Sequence, residues 1–124
     1  MTKRILIIED QEDNRAILRD LLSTAGYSLI EAADGELGVQ LAQSERPDLI
    51  LMDIQLPVLD GYEATRRIRA MVELKSIPII AVTSYALSGD EAKSRAAGCD
   101  SYVAKPFSPR ELLAKVREFL PTAE

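Results

Sequence analysis

The chain has 124 residues, 47% of them hydrophobic, and a formal net charge of -5 at pH 7. This length fits one domain with a core of its own, and the acidic balance argues against nucleic acid or an anionic membrane as a partner. The sequence contains no histidine and one cysteine, which excludes Ser-His and Cys-His catalysis, histidine-bound zinc, a histidine phosphorelay within the chain itself, and an internal disulfide.

Strand and helix signals alternate five times along the chain. Short apolar runs predict the strands, and the segments between them have the length and apolar period of helices. The strands are predicted at Arg4–Glu9, Tyr27–Ala32, Leu49–Asp53, Ile79–Thr83 and Ser101–Ala104. Such alternation predicts an α/β fold with a doubly wound, mostly parallel sheet and helices on both faces. Two strand orders stay open, and both place the first strand centrally.

Several local signals mark the helix ends. Ser108-Pro109-Arg110-Glu111 is a capping box with proline in the first turn, and weaker start signals occur at Asp60 and Ser88. Glycines at 26 and 98 are expected to end the first and fourth helices. An apolar stripe on the first helix is predicted from Ile17, Leu18, Leu21 and Leu22. Cys99 is expected to be a small buried core residue rather than a reactive thiol. Leu56, Val58 and Leu59 either pack the loop after Asp53 or contact a kinase, and packing is favoured.

Acidic residues follow two of the apolar strands. Glu9 and Asp10 come after the first strand, and Asp53 ends the third. If these strands are neighbours, they lie about 4.8 Å apart, and carboxylates that close raise one another's pKa or bind a cation. Because open α/β sheets bind ligands at the carboxyl ends of their strands, the pattern predicts a metal site with a reactive aspartate.

The remaining strand ends carry phosphate-binding groups. Thr83 and Ser84 stand at the end of the fourth strand, and Lys105 follows the fifth, whereas no glycine-rich phosphate loop follows the first. Mg²⁺ is typically held by carboxylates together with phosphate oxygens, and a hydroxyl and an ammonium suit the other phosphate oxygens. Together these groups predict phosphoryl transfer onto Asp53.

Taken in order, these motifs resemble the response-regulator receiver domain of two-component signalling. They are Glu9-Asp10, Asp53 within LILMDIQLPVLDG, Thr83-Ser84 and Lys105-Pro106-Phe107, and the resemblance runs from Arg4 to Leu120. It implies the flavodoxin-like strand order 2-1-3-4-5 and a single receiver domain over residues 1–124 without an output domain. The stretch DGYEATRRIR also resembles receivers fused to hybrid histidine kinases.

The resemblance implies a role for each acidic residue. Asp53 is then the phosphoacceptor. Asp10 and Asp53 bind Mg²⁺ directly, Glu9 acts mainly through water, and the main-chain carbonyl of Gln55 completes the protein ligands.

It also implies how the phosphoryl group is held. Thr83 and Lys105 contact it, and the small side chain of Ser84 leaves it room. Tyr102 corresponds to the aromatic residue whose inward turn accompanies movement of Thr83. The Lys105–Pro106 peptide bond is expected to be cis.

The function predicted in this way is a phosphorylation-dependent protein switch. A histidine kinase or a histidine phosphotransfer protein supplies the phosphoryl group, and a downstream protein target receives the signal. Neither nucleic acid nor a membrane is expected as a partner. A cytoplasmic location is expected, because the N-terminus lacks a secretory h-region and no apolar run approaches the roughly 18 residues of a membrane span.

Two other functions stay open. A Mg²⁺-dependent phosphatase with an aspartyl-phosphate intermediate places its nucleophile after the first strand, with a second acid two residues later and a substrate cap. Here Asp10 is followed by Gln11-Glu12, and no insertion is long enough for a cap. A phosphorylation-independent interaction module would usually lack an acid, the threonine or the lysine of the motif, and all are present here.

Overall fold

The computed structural model describes residues 2–83 and 90–121, in which strands and helices alternate as predicted. The strands are β1 (Arg4–Ile8), β2 (Ser28–Ala32), β3 (Leu49–Asp53), β4 (Ile79–Thr83) and β5 (Ser101–Ala104). The helices are α1 (Glu12–Thr24), α2 (Gly35–Glu45), α3 (Gly61–Arg69), α4 (Asp90–Ala97) and α5 (Pro109–Phe119), with a 3-10 turn at Val72–Leu74. The bounds of three strands match the prediction, and β1 and β2 are each one residue shorter.

The strands form a parallel sheet in the order β2-β1-β3-β4-β5, which confirms the predicted topology. In this order β1 lies beside β3, with Ile8 paired to Met52. The residues that follow β1 and the last residue of β3 therefore meet at the carboxyl edge of the sheet. This adjacency is what the metal-site prediction required.

Apolar side chains cover both faces of the sheet, as in other α/β folds whose strands are buried on both sides. Because side chains alternate along a strand, Leu6 and Ile8 of β1 pack in a cluster with α2 and α3. Ile5 and Ile7 point the other way, into a cluster with α1 and α5. All five residues of β3 are buried, which explains the continuous apolar run in its sequence.

Two predictions of buried apolar residues were wrong. Ile17 of α1 is 55% exposed, whereas Leu18 and Leu22 are buried. One residue corresponds to about 100° of helix rotation, so Ile17 lies at the flank of the buried stripe. In the loop after β3, Leu56 and Leu59 are buried but Val58 is fully exposed. Val58 also has a positive φ, of 67°, a conformation that β-branched residues rarely adopt.

The local signals at the helix ends are confirmed. The Ser108 hydroxyl accepts a hydrogen bond from the Glu111 N–H, and the Asp60 carboxylate accepts one from the Glu63 N–H. Glycines 26 and 98 have φ of 99° and 117° and follow the ends of α1 and α4. The predicted helix start at Ser88 lies outside the described residues. Cys99 is buried as expected.

The amino edge of the sheet, opposite the acidic residues, is held by side-chain hydrogen bonds. The Arg69 guanidinium lies 2.7 Å from the Asp100 carboxylate and also donates to the carbonyls of residues 74, 75, 77 and 98. The Tyr27 hydroxyl donates to the carbonyl of Leu120 at 2.8 Å. Since β1 begins at Arg4, both ends of the described chain lie at this edge.

Candidate functional site

Three carboxylates meet where β1 and β3 end. Glu9, Asp10 and Asp53 each place one oxygen within 4.8 Å of the others. Glu9 and Asp53 are 2% and 3% exposed, and Asp10 is half-buried. The structure thus brings together the three acids that the sequence predicted as metal ligands.

The Lys105 ammonium lies between two of these acids. Its Nζ is 3.2 Å from Glu9 Oε1 and 3.2 Å from Asp53 Oδ2. Burial of the ammonium alone would lower the pKa of Lys105, but the charges of Asp53 and Glu9 outweigh this effect, so that its pKa is raised. The Lys105 side chain therefore contacts Asp53 in its charged, ammonium form. The Lys105–Pro106 peptide bond is cis, as expected.

Main-chain N–H groups fix the orientation of the two buried carboxylates. The Gln11 N–H donates to Glu9 Oε2, and the Gln55 N–H donates to Asp53 Oδ1, each at 3.0 Å. Each donor lies two residues after its acceptor, as in turns closed by an acidic side chain. The two oxygens of Asp53 thus have different partners, the amide at Oδ1 and the ammonium at Oδ2.

The charge of the site favours a divalent cation. Three carboxylates face one ammonium, and the pKa of Asp10 is raised, first by its partial burial and then by the neighbouring Glu9. A set of carboxylate oxygens is the kind of site in which Mg²⁺ binds. The residues present therefore fit this ion, and Gln55, the further predicted ligand, lies two residues beyond Asp53.

Thr83 ends β4 beside the acidic cluster and is fully buried. Its Oγ1 accepts a hydrogen bond from Gln55 Nε2 at 2.9 Å. Sequence reasoning missed this contact, because no motif specifies how the long side chain of Gln55 folds back. Tyr102 is half-buried in β5 and packs against the apolar cluster on the α2–α3 side of the sheet. Ser84 lies outside the described residues.

An apolar groove of about 480 Å³ borders the cluster between α1 and the start of α5. Its wall includes the exposed Ile17, and its inner end is formed by Glu9 and Lys105. The other lining residues are Asn14, Leu18, Val82, Pro106, Phe107 and Pro109. The groove therefore leads from solvent to the edge of the acidic site.

The family model of the response regulator receiver domain matches residues 5–117. The chain belongs to this family. Its relatives include the polar-differentiation response regulator DivK of Brucella ovis and of Brucella abortus, each 42% identical over 120 residues, which are 97% of this chain and 98% of the relative. It is a receiver-domain response regulator of two-component signalling.

Solved receiver structures share this fold. The receiver domain of a sensor histidine kinase from Pseudomonas aeruginosa is 41% identical, with 98% of this chain and 100% of that one covered and a TM-score of 0.91. That structure contains a magnesium ion coordinated in the active site cleft. The chemotaxis protein CheY4 of Vibrio cholerae is 28% identical, with 96% and 99% covered and a TM-score of 0.91. In the described part of the receiver, no helix has the length and apolar character to cross a membrane.

Proposed function

We propose that Asp53 accepts a phosphoryl group from a phosphohistidine of a histidine kinase or a histidine phosphotransfer protein. The convergence of Glu9, Asp10 and Asp53 on one point, with Lys105 touching Asp53, carries this proposal. In the reaction an Asp53 carboxylate oxygen forms a bond to phosphorus while the bond between phosphorus and the donor nitrogen breaks. The electron pair of the broken bond leaves with the histidine nitrogen.

The site residues divide into those that hold the cation and those that hold the phosphoryl group. Asp10, Asp53 and the Gln55 carbonyl would bind Mg²⁺, with Glu9 close by. When bound, this cation offsets the negative charge that the phosphoryl oxygens bring to the cluster.

On the other flank, Lys105 already lies 3.2 Å from Asp53 Oδ2 and would place its ammonium against a phosphoryl oxygen. The buried hydroxyl of Thr83 would donate to another phosphoryl oxygen, and the small Ser84 would leave room for the group. The contribution of these residues is position and charge rather than covalent chemistry.

The test is labelling with acetyl phosphate and Mg²⁺. We expect one acid-labile, hydroxylamine-sensitive phosphoryl group per chain, and we expect EDTA or Asp53→Ala to abolish it. The exposed Asp20 of α1 offers a matched control, because Asp20→Ala removes a carboxylate far from the cluster and should be labelled normally. Equal labelling of Asp53→Ala would overturn the proposal.

The chain would accept one phosphoryl group per molecule, in contrast to an enzyme that turns over phosphate esters. β3 ends at Asp53 and α3 begins at Gly61, so the loop between them is too short to form a substrate cap. We expect only stoichiometric phosphate release from the labelled protein. Steady turnover of p-nitrophenyl phosphate would instead support the phosphatase.

The phosphohistidine partner would dock along the groove between α1 and α5. A histidine on a partner helix must reach Asp53 from solvent, and the apolar wall at Ile17 offers the contact beside this route. We expect Ile17→Asp to slow transfer from a phosphorylated histidine phosphotransfer protein at least about tenfold, because a buried charge at the interface is costly. Labelling by acetyl phosphate needs no docking and should be unchanged.

Val72 provides the matched control for this docking experiment. It is 78% exposed and lies in the 3-10 turn before β4, at the opposite edge of the sheet. Val72→Asp should leave both reactions unchanged. Equal rates of protein-to-protein transfer in wild type and Ile17→Asp would place the docking surface elsewhere.

A further inference from the structure

Gln55 contacts both the proposed phosphoacceptor and the threonine beside it. Its main-chain N–H donates to Asp53 Oδ1 at 3.0 Å, and its side-chain Nε2 donates to Thr83 Oγ1 at 2.9 Å. Thr83 is fully buried and Gln55 is half-buried. One loop residue therefore links the end of β3 to the hydroxyl at the end of β4.

The main chain around Thr83 is already held by its neighbours in the sheet. The Ile54 N–H donates to the Val82 carbonyl at 3.0 Å, and the Lys105 N–H donates to the Thr83 carbonyl at 2.7 Å. The hydroxyl can therefore change its position by rotation of the side chain. A rotation away from Gln55 lengthens the contact between Nε2 and Oγ1.

We propose that Gln55 is a positioning residue whose carboxamide holds the Thr83 hydroxyl in its unphosphorylated position and so opposes switching. This inference rests on the proposed function, in which Thr83 donates to a phosphoryl group on Asp53. The hydroxyl accepts the Gln55 bond through its oxygen and would donate its one hydrogen to a charged phosphoryl oxygen, which is a strong acceptor. The two bonds therefore oppose each other through the movement of the hydroxyl away from Gln55, not through competition for its hydrogen. The switch is made when this new bond outweighs the loss of the Gln55 contact.

The size of the effect follows from the net strength of one neutral hydrogen bond. Removing such a bond from one of two states shifts their ratio by about two- to tenfold. While the switched state is the minor one, a ligand that binds only this state gains apparent affinity by the same factor. Loss of the Gln55 carboxamide should therefore favour the switched state even before a phosphoryl group is present.

The opposite role for Gln55, in which its carboxamide favours switching, makes a different prediction. A carboxamide that held the Thr83 hydroxyl ready for the phosphoryl group would stabilise the switched state, and its loss would weaken the response. The direction of the change in Gln55 variants therefore separates the two roles.

The test uses Gln55→Met, which keeps the length of the side chain and removes the donor. Backbone amide NMR signals are followed with Mg²⁺ and the phosphoryl mimic beryllofluoride. Without beryllofluoride, the signals of Thr83 and Tyr102 in the variant should lie closer to their positions in the bound wild type. The apparent affinity for beryllofluoride should be about two- to tenfold higher than in wild type.

Two further variants identify the origin of the effect. Gln43→Met makes the same substitution on the exposed face of α2 and should change neither measurement. In a Thr83→Val background the acceptor of the hydrogen bond is absent, so Gln55→Met should have no further effect. An undiminished effect in that background would overturn the inference, because Gln55 would then act without Thr83.

The remaining outcomes distinguish this inference from the proposed function. If the Thr83 and Tyr102 signals of the wild type do not respond to beryllofluoride, the proposed switch fails and the role of Gln55 fails with it. If the wild type responds but Gln55→Met binds beryllofluoride equally well or more weakly, the inference about Gln55 alone is overturned.

Discussion

Asp10→Asn should stabilise the metal-free protein and remove most of its stabilisation by Mg²⁺. The ammonium of Lys105 lies 3.2 Å from Glu9 and 3.2 Å from Asp53, and Asp10 adds a third carboxylate beside them. Its pKa is raised by partial burial and then by Glu9, so the folded state disfavours its charge. Asparagine keeps the shape of the side chain without that charge.

The magnitude follows from the spacing of the cluster. The three carboxylates each place one oxygen within 4.8 Å of the others, and two unit charges at a separation of about 4.8 Å repel by about 1 kcal/mol in water and by about 3–4 kcal/mol at an effective dielectric constant of 20. Asp10 is half-buried and Lys105 offsets part of the repulsion, so the lower value applies. We expect the free energy of unfolding in EDTA at pH 7 to rise by about 1 kcal/mol, or about 3–5 °C in Tm.

The assay is urea unfolding of wild type, Asp10→Asn and the control Asp20→Asn, each in EDTA and in excess Mg²⁺. At a metal concentration of about 100 Kd the wild type should gain about 2.7 kcal/mol, and Asp10→Asn should gain much less. Asp20→Asn removes an exposed charge from α1, so it should stay within about 0.5 kcal/mol of the wild type in both conditions.

The pH dependence of the free energy of unfolding tests the sign of the Asp10→Asn effect independently. The raised pKa of Asp10 means that the folded state binds its proton more tightly than the unfolded state, so the charged group destabilises the fold above its folded pKa. This cost disappears as the pH falls through the folded pKa towards the ordinary value of 3.8. In EDTA the advantage of Asp10→Asn should therefore shrink over this range. A variant that is less stable than wild type at pH 7, or that gains equally from Mg²⁺, would refute the reasoning.

Two further predictions concern the stability of the fold. Ser94 is 1% exposed, and in the described part of the chain its hydroxyl has no hydrogen-bond partner. Ser94→Ala should therefore raise the free energy of unfolding by about 1 kcal/mol, and a lower free energy of unfolding in urea would contradict this. A Cβ on Gly61 would meet the Asp53 carbonyl and come within 2.7 Å of the Ile54 Cα, so Gly61→Ala should cost at least about 2 kcal/mol in the same assay, whereas unchanged stability would show that the loop can move aside.

Much of the fold could be predicted because its signals are local or periodic. Because β3 is buried on both faces, its sequence is an unbroken apolar run. The helix caps at Asp60 and Ser108 are side chains that accept hydrogen bonds from main-chain N–H groups three residues later. The order of the strands in the sheet could not be predicted from the alternation of strand and helix signals. It came from the resemblance, which relies on several motifs in a fixed order rather than on any one of them.

The sequence predicted which acids and which lysine form the candidate site, but it did not predict the side-chain hydrogen bonds between its residues. Strand ends determine where Asp53 and Lys105 lie, so their meeting follows from topology. The bond between Gln55 and Thr83 depends on side-chain torsions that the sequence does not specify. Val58 is exposed and has a positive φ, a conformation that a β-branched residue adopts only when the surrounding loop imposes it, and no local sequence signal marks it.

The position of the two ends of the described chain has a practical consequence for handling the protein. β1 leaves from the amino edge of the sheet, and α5 returns to that edge, where the Leu120 carbonyl is bound by Tyr27. A biotinylated peptide or a fluorescent protein joined at either end would therefore stand on the side away from Asp53. Tethered to a sensor surface in this way, the molecule would present its acidic site and the groove beside it to partners in solution.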